Sequence, residues 1–231
     1  MFNSHLSLRY GPRYYSWALP GFTVLISGAP ASGKSTLTEP MISACLSTKS
    51  DMFKSESKSS KVVHIDTDLP ETLHHKQESR ISELCGHCNM ENYHYFNLID
   101  QITFDQKRQK VHEIVADNPA DFYFIDNLSG LCRPTDEQNA YDLIFKLNPI
   151  ITKSKSILVA VSHLNKEGTE KGHVGKVFKE LSSTSVMITL LEDDGISVVD
   201  PNKDRIGGMP KLMFEVENDK VKVGPYMPFP T

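Results

Sequence analysis

Residues 28–35 have types and spacing that could bind a nucleotide. They read Gly-Ala-Pro-Ala-Ser-Gly-Lys-Ser and fit the pattern G-x-x-x-x-G-K-[S/T] at every required position. Glycines let backbone N–H groups curl around a β-phosphate at a helix N-terminus, where Lys34 would bridge the β- and γ-phosphates. The Ser35 hydroxyl would ligate Mg²⁺, and Thr36 would lie near the α-phosphate. We therefore expect ATP and Mg²⁺ to bind at Gly28, Ala29, Pro30, Ala31, Ser32, Gly33, Lys34, Ser35 and Thr36.

A second candidate group follows this loop by about ninety residues. Phe122-Tyr123-Phe124-Ile125-Asp126 is an apolar run that ends in a carboxylate, the form by which P-loop ATPases place an aspartate near the Mg²⁺ ion. A strand-ending aspartate is also a common helix N-cap, but because the P-loop is present we expect Asp126 to take part in binding the metal ion. Asn127 follows it instead of a glutamate, so the carboxylate that activates water must come from elsewhere.

Alternating apolar patterns indicate the elements that position these residues. Strands are predicted over residues 22–27, 62–66, 121–126 and 156–162, and helices from the P-loop through Cys45 and over 69–84, 105–115 and 136–147. This alternation predicts an α/β fold with a mostly parallel, twisted sheet and helices on both faces. Pro40 should kink or shorten the first helix. Short strands between 185 and 223 should add antiparallel edge strands.

The chain is expected to divide into an N-terminal arm, residues 1–20, and one ATPase domain, residues 21–231. The arm is rich in aromatic and basic residues, and it could stack on a base or a neighbouring subunit, or else form a terminal strand that packs on its own core. Residues 47–61 contain six serines and four lysines, with Met52 and Phe53 almost the only apolar residues. They are expected to form a mobile surface loop.

The segment Val62-Val63-His64-Ile65-Asp66-Thr67-Asp68-Leu69-Pro70 resembles the RecA superfamily, in particular its hexameric helicase branch of the DnaB and plasmid RepA kind. In that branch a strand runs into a short carboxylate-x-Pro segment that carries the catalytic glutamate. The resemblance implies a RecA-like P-loop NTPase fold and assigns the catalytic carboxylate to Asp68, with Asp66 or Glu71 as alternatives. The family usually has glutamate there, so the aspartate leaves the rate of hydrolysis open.

Two further segments carry the resemblance. Ser162-His163-Leu164-Asn165-Lys166 is similar to the family's Ser-Gln-Leu-Asn-Arg, which implies that His163 senses the γ-phosphate. Residues 171–176, Lys-Gly-His-Val-Gly-Lys, resemble a DNA-contacting loop of RepA-like ATPases from bacterial mobile elements. Across 166–179, four lysines against two glutamates leave a local charge of +2, and together with this charge the resemblance implies that DNA, in single-stranded form, binds this loop. A solvated charged loop is the alternative.

Near the C-terminus, Lys203-Asp204-Arg205 resembles the Lys-x-Arg of hexameric helicases. In those proteins both cations reach the γ-phosphate of a neighbouring subunit, which implies that Lys203 and Arg205 are catalytic in trans within a hexameric ring or filament. A charged hairpin turn is the alternative.

The composition limits the binding partners and the cellular compartment that can be expected for this protein. The net charge of −4 across 231 residues does not favour polyanions, so any nucleic-acid contact must be local. The sequence has no apolar run of membrane-spanning length and no secretory pattern, and its four cysteines are too few for a disulfide framework, so a cytoplasmic protein without membrane contact is expected. The segment Cys85-Gly86-His87-Cys88, with His74, His75 and His94 nearby, is a zinc half-site or the end of a helix with buried thiols.

Together these patterns favour a RecA-type ATPase, DnaB- or RepA-like, that hydrolyses Mg-ATP between subunits to translocate on or remodel DNA as a helicase would. One alternative is a slow ATPase that serves as a nucleotide-switched recombination mediator or regulator. Another is a small-molecule kinase, which is less favoured because the sequence shows no arginine-rich lid over the phosphates.

Overall fold

The computed structural model describes residues 6–10, 13–47, 52–56, 60–86, 90–191, 195–206, 208–217 and 220–225. A nine-stranded sheet forms its centre, and its strands are β3 (Thr23–Gly28), β5 (Val62–Asp66), β6 (Tyr93–Asn97), β7 (Phe122–Asp126), β8 (Ile157–His163), β9 (Thr184–Leu191), β10 (Ile196–Asp204), β11 (Leu212–Glu217) and β12 (Lys220–Pro225). Their order across the sheet is β12-β11-β10-β9-β3-β8-β7-β5-β6.

The sheet is parallel from β9 to β6 and antiparallel beyond β9. Strands β9, β3, β8, β7, β5 and β6 pair in parallel, while β10, β11 and β12 add to the other side as antiparallel strands. Every residue of β3 and β5 is buried, as expected for inner strands covered on both faces. The predicted α/β architecture, with its C-terminal antiparallel strands, is confirmed.

Within the described residues, five α-helices cover the two faces: α1 (Lys34–Leu46), α2 (Glu71–Cys85), α3 (Phe104–Asp117), α4 (Glu137–Ser154) and α5 (Gly172–Leu181). Buried residues of α1 and α2 belong to one apolar cluster, and those of α3, α4 and α5 belong to another. Pro40 was expected to kink or shorten α1, but the helix runs through it to Leu46. No helix in the described ranges combines the length and apolarity needed to span a membrane.

The N-terminal segment packs on its own core. Strands β1 (Leu6–Tyr10) and β2 (Arg13–Ala18) form an antiparallel hairpin, and β4 (Phe53–Ser55) pairs with the free side of β1. Trp17 and Phe53 are fully buried and meet edge to face, with ring centroids 5.2 Å apart. Of the two interpretations of the first twenty residues, the structure therefore has the terminal strand that packs on its own core.

Three segments differ from what the sequence predicts. Strand β4 lies within the expected surface loop 47–61, because two neighbouring apolar residues, Met52 and Phe53, are enough to anchor it in the core. Strand β6 was not predicted, although its Tyr-His-Tyr-Phe run is typical of a strand. Residues 172–179 belong to helix α5 rather than to a loop, since Val174, Val177 and Phe178 form one buried helical face.

Candidate functional site

The carboxyl ends of β3, β5, β7 and β8 meet at one edge of the sheet. In the strand register, Asp66 at the end of β5 is the partner of Asp126 at the end of β7. Gly28 at the end of β3 is likewise the partner of His163 at the end of β8. Residues that are far apart in the sequence are thus brought together where open α/β sheets bind their ligands.

The loop 28–33 turns tightly between β3 and α1. A Cβ on Gly28 would lie 2.3 Å from Ser32 Oγ and 2.8 Å from the Ile188 carbonyl oxygen, so only glycine fits there. Gly33, the N-cap of α1, has a left-handed φ of 89°. This geometry directs the first N–H groups of α1 toward the loop, where they can bind an anion.

Lys34 folds back over this loop. Its Nζ atom donates hydrogen bonds to the carbonyl oxygens of Gly28, at 2.9 Å, and Ala29, at 2.6 Å. Burial lowers the pKa of Lys34, and the nearby Asp126 opposes that shift. Phosphate oxygens could replace these two carbonyls as partners of the ammonium group. Ser35, which follows, is exposed and Thr36 is half-buried, so both hydroxyls can meet a ligand at the helix start.

A group of carboxylates lies around Asp126, which is near Lys34. Burial raises the pKa of Asp126 to about 7, with further contributions from Asp66 and Asp68, while Lys34 lowers it. Burial also raises the pKa of Asp66 to about 6, against the lowering effect of two backbone N–H groups. Asp126 thus lies among acidic side chains that repel its charged form, with Lys34 as the opposing cation. A divalent cation would relieve this repulsion, so the donor set of Asp126 and the Ser35 hydroxyl suits Mg²⁺.

Asp68 is oriented by its neighbours. Asp66 Oδ1 accepts hydrogen bonds from the backbone N–H groups of Asp68, at 2.9 Å, and Leu69, at 2.6 Å, which fixes the turn after β5. Asn127 Nδ2 donates to Asp68 Oδ2 at 2.9 Å. In the sequence, Asn127 stands out only as the residue that follows Asp126 in place of a glutamate. No local sequence pattern predicts that its side-chain amide reaches Asp68.

Asn127 is itself held in place. Its N–H donates to Thr67 Oγ1 at 3.1 Å, and that hydroxyl donates to the Asn127 carbonyl at 2.9 Å. Thr67 is fully buried, and a Cβ on Gly130 would lie 2.4 Å from Thr67 Oγ1. These hydrogen bonds join the ends of β5 and β7 next to the two acidic residues, Asp68 and Asp126.

A cleft of about 480 Å³ opens beside these groups, and Pro30, Asp68, Ile102, Lys107, His163 and Lys171 are among the residues that line it. His163 is half-buried, and its Nδ1 atom has no hydrogen-bond partner among the described residues. Burial and then Lys34 lower the pKa of His163, so its ring is neutral near pH 7 and can donate one hydrogen bond. Lys107, which the sequence did not single out, donates from Nζ to the Thr67 carbonyl.

The turn after β8 is tied to the P-loop strand. Glu170 is 5% exposed and accepts a hydrogen bond from Ser27 Oγ at 2.6 Å. The Leu164 N–H donates to the Gly28 carbonyl at 3.1 Å, and the Lys171 N–H donates to the His163 carbonyl at 2.8 Å. Of the region 166–179, only the part before residue 172 is this turn, and the rest is α5.

Lys203 and Arg205 lie at the other edge of the sheet. The backbone N–H of Arg205 donates to the Ser183 carbonyl, and the N–H of Ser183 donates to the Thr23 carbonyl. Thr23 begins β3, so this contact lies at the end of the strand opposite the P-loop. Lys203 Nζ donates to the carbonyls of Lys179, at 2.8 Å, and Glu180, at 2.6 Å, at the C-terminus of α5. The fold does not bring this pair to the nucleotide site of its own chain.

The segment that is either a zinc half-site or the end of a helix with buried thiols is only partly described. Cys85 is buried at the end of α2, and residues 87 and 88 lie outside the described residues. His94 is half-buried on β6.

The parallel sheet, the P-loop at the end of β3 and the carboxylates at the ends of β5 and β7 define a P-loop ATPase of the RecA superfamily. The chain belongs to the AAA domain family AAA_25, whose model matches residues 11–169. No curated protein matches this sequence.

Solved structures with this fold include two archaeal proteins. Flagellar accessory protein FlaH from Methanocaldococcus jannaschii has 18% sequence identity and a TM-score of 0.63, and the match covers 90% of this chain and 91% of that protein. A KaiC-like protein from Pyrococcus horikoshii OT3 has 16% identity and a TM-score of 0.64, covering 89% and 90%. At these identities the likeness establishes the fold.

Proposed function

We propose that the protein hydrolyses Mg-ATP at the cleft beside the P-loop. Lys34 bridges the β- and γ-phosphates, and Ser35 and Asp126 hold Mg²⁺, which neutralises charge on the transferring phosphoryl group. Asp68 orients the attacking water, and His163 contacts the γ-phosphate. The observation that carries this assignment is the orientation of Asp68 by Asn127 at a cleft that His163 also lines, beside the loop that holds Lys34.

We further propose that single-stranded DNA stimulates this reaction by binding at the turn 164–171 and the start of α5. Lys166, Lys171 and Lys176 are exposed there and can contact phosphates. The turn is joined to β3 through Glu170 and Ser27, so a displacement of the turn by DNA would be transmitted to the P-loop. This coupling supports a motor that remodels or translocates on DNA.

The same proposal assigns Lys203 and Arg205 to the site of a neighbouring subunit. Their position at the opposite edge of the sheet from the P-loop supports a head-to-tail arrangement, in which the basic edge of one copy faces the nucleotide edge of the next. Such an arrangement forms a ring when it closes and a filament when it does not. An arginine supplied in trans stabilises the charge of the phosphoryl oxygens and can raise the rate by about 10³–10⁵.

The test is Mg-ATP hydrolysis, with and without single-stranded DNA, over a series of protein concentrations. We expect DNA to stimulate turnover and the rate per subunit to rise as subunits assemble, with Lys34→Ala as the inactive blank. Arg205→Ala mixed with wild type should lower the rate more than dilution by an inert protein, whereas Lys146→Ala, which removes an exposed cation on α4, should not. Tight ATP binding with turnover indifferent to DNA and to concentration would refute the motor and favour a nucleotide-switched regulator.

A further inference from the structure

Two imidazoles and a carboxylate lie together on the first two turns of α2, outside the nucleotide site. One ring nitrogen of His74, one of His75 and one carboxylate oxygen of Glu78 all lie within 4.8 Å of one another. His74 and Glu78 are four positions apart and His75 and Glu78 are three apart, so the three side chains share one side of the helix. The His75 Nδ1 to Glu78 Oε2 distance is 3.9 Å.

His74 is a fixed member of this group. Its ring stacks on Tyr95 of β6, with centroids 3.2 Å apart and planes at 19°, and the residue is 7% exposed. Tyr95 covers one face of the ring, while the two ring nitrogens lie at its edge. Of these, Nε2 has no hydrogen-bond partner in the described part of the chain. An unpaired buried nitrogen costs free energy. A metal ion or a proton donor would remove that cost.

The other two members can adjust to a ligand. The His75 side chain is 70% exposed and that of Glu78 is 44% exposed, so both can change rotamer without disturbing the core. Besides Glu78 and His75, Glu71, which begins the helix one turn earlier, also acts electrostatically on His74. Two neutral imidazoles and one or two carboxylates are a donor set that Zn²⁺ favours over Mg²⁺.

We propose that His74, His75 and Glu78 form a binding site for Zn²⁺ or a similar transition-metal ion, distinct from the Mg²⁺ of the nucleotide. Small rotations of His75 and Glu78 bring three donors to about 2 Å from one ion, with the fourth position left to water. Helix α2 starts at Glu71, three residues after Asp68. The bound ion links side chains of the first two turns of α2, the helix that follows Asp68, the proposed catalytic carboxylate.

The test is titration of the full chain with Zn²⁺ in competition with a chromophoric chelator. We expect one ion per chain, and His75→Ala and Glu78→Gln should each weaken binding by about tenfold or more, since each removes one of three protein ligands. His112→Ala is the matched control, because it removes a histidine of α3 and should leave the affinity unchanged. Circular dichroism of each variant confirms that it is folded.

Cobalt separates this site from the cysteine segment 85–88. Co²⁺ bound to nitrogen and oxygen donors gives no thiolate-to-metal charge-transfer band, and Cys88→Ser should bind Zn²⁺ as tightly as wild type. Three results would overturn the proposal: no stoichiometric binding, unchanged affinity in both His75→Ala and Glu78→Gln, or a thiolate band that disappears in Cys88→Ser.

Discussion

Replacing Asp126 by asparagine should stabilise the nucleotide-free protein at neutral and alkaline pH. Burial together with Asp66 and Asp68 raises the pKa of Asp126 from its ordinary value of 3.8 to about 7. The folded state therefore holds this proton more tightly than the unfolded state does. Proton binding by Asp126 stabilises the folded state fully at low pH, and this stabilisation is lost as the pH rises from about 4 to 7. Above pH 7 the folded protein therefore bears the full cost of the buried charge.

The size of the effect follows from the same shift. A change from 3.8 to about 7 corresponds to at most about 4 kcal/mol, because one pKa unit is about 1.4 kcal/mol. Asparagine has nearly the same shape but loses the attraction to Lys34, and Asp66 shares the titration. We therefore expect Asp126→Asn to raise the free energy of unfolding by about 1–3 kcal/mol at pH 8 and by much less near pH 4.

Urea denaturation with EDTA present, at several pH values between about 4 and 8, measures this directly. Asp100→Asn is the matched control, since Asp100 is exposed and the same substitution should leave stability unchanged at every pH. A buried charge at Asp126 would be contradicted if Asp126→Asn is no more stable than wild type at pH 8, or if its gain in stability does not grow with pH. The same variant should lose Mg-dependent hydrolysis.

Three further predictions concern single side chains. Asn127→Ala should lower kcat about tenfold with little change in ATP affinity, because Asp68 loses its hydrogen bond; equal loss in binding and turnover, measured by ATP titration and steady-state kinetics, would contradict this role. Asp68→Glu should change turnover by less than about threefold if the oriented aspartate is already competent, whereas a gain of about tenfold or more would favour the slow, nucleotide-switched ATPase. Trp17→Ala should destabilise the protein by about 3–5 kcal/mol in urea denaturation, since Trp17 is fully buried against Phe53, and a loss below about 1 kcal/mol would mean that the hairpin is not part of the core.

Much of the fold could be predicted because its signals are local. The inner strands are short apolar runs, and the P-loop depends on a few consecutive residues whose backbone geometry requires glycine, as at Gly28 and Gly33. The same applies to Asp126 at the end of its apolar run. Strand β4 escaped prediction because only Met52 and Phe53 mark it within a polar segment, and β6 escaped prediction although its run of aromatic residues is typical of a strand.

The arrangement of the site was decided by tertiary structure. The amino-acid sequence by itself determined that Lys34, Asp68 and Asp126 would follow strands, but not that Asn127 would hold Asp68, since that hydrogen bond joins two strand ends that only sheet pairing brings together. Likewise, only the fold puts Lys203 and Arg205 at the edge opposite the P-loop, because antiparallel pairing of β10 with β9 reverses the direction of the chain. Local backbone preferences act over a few residues, whereas these distances are set by burial of the whole sheet.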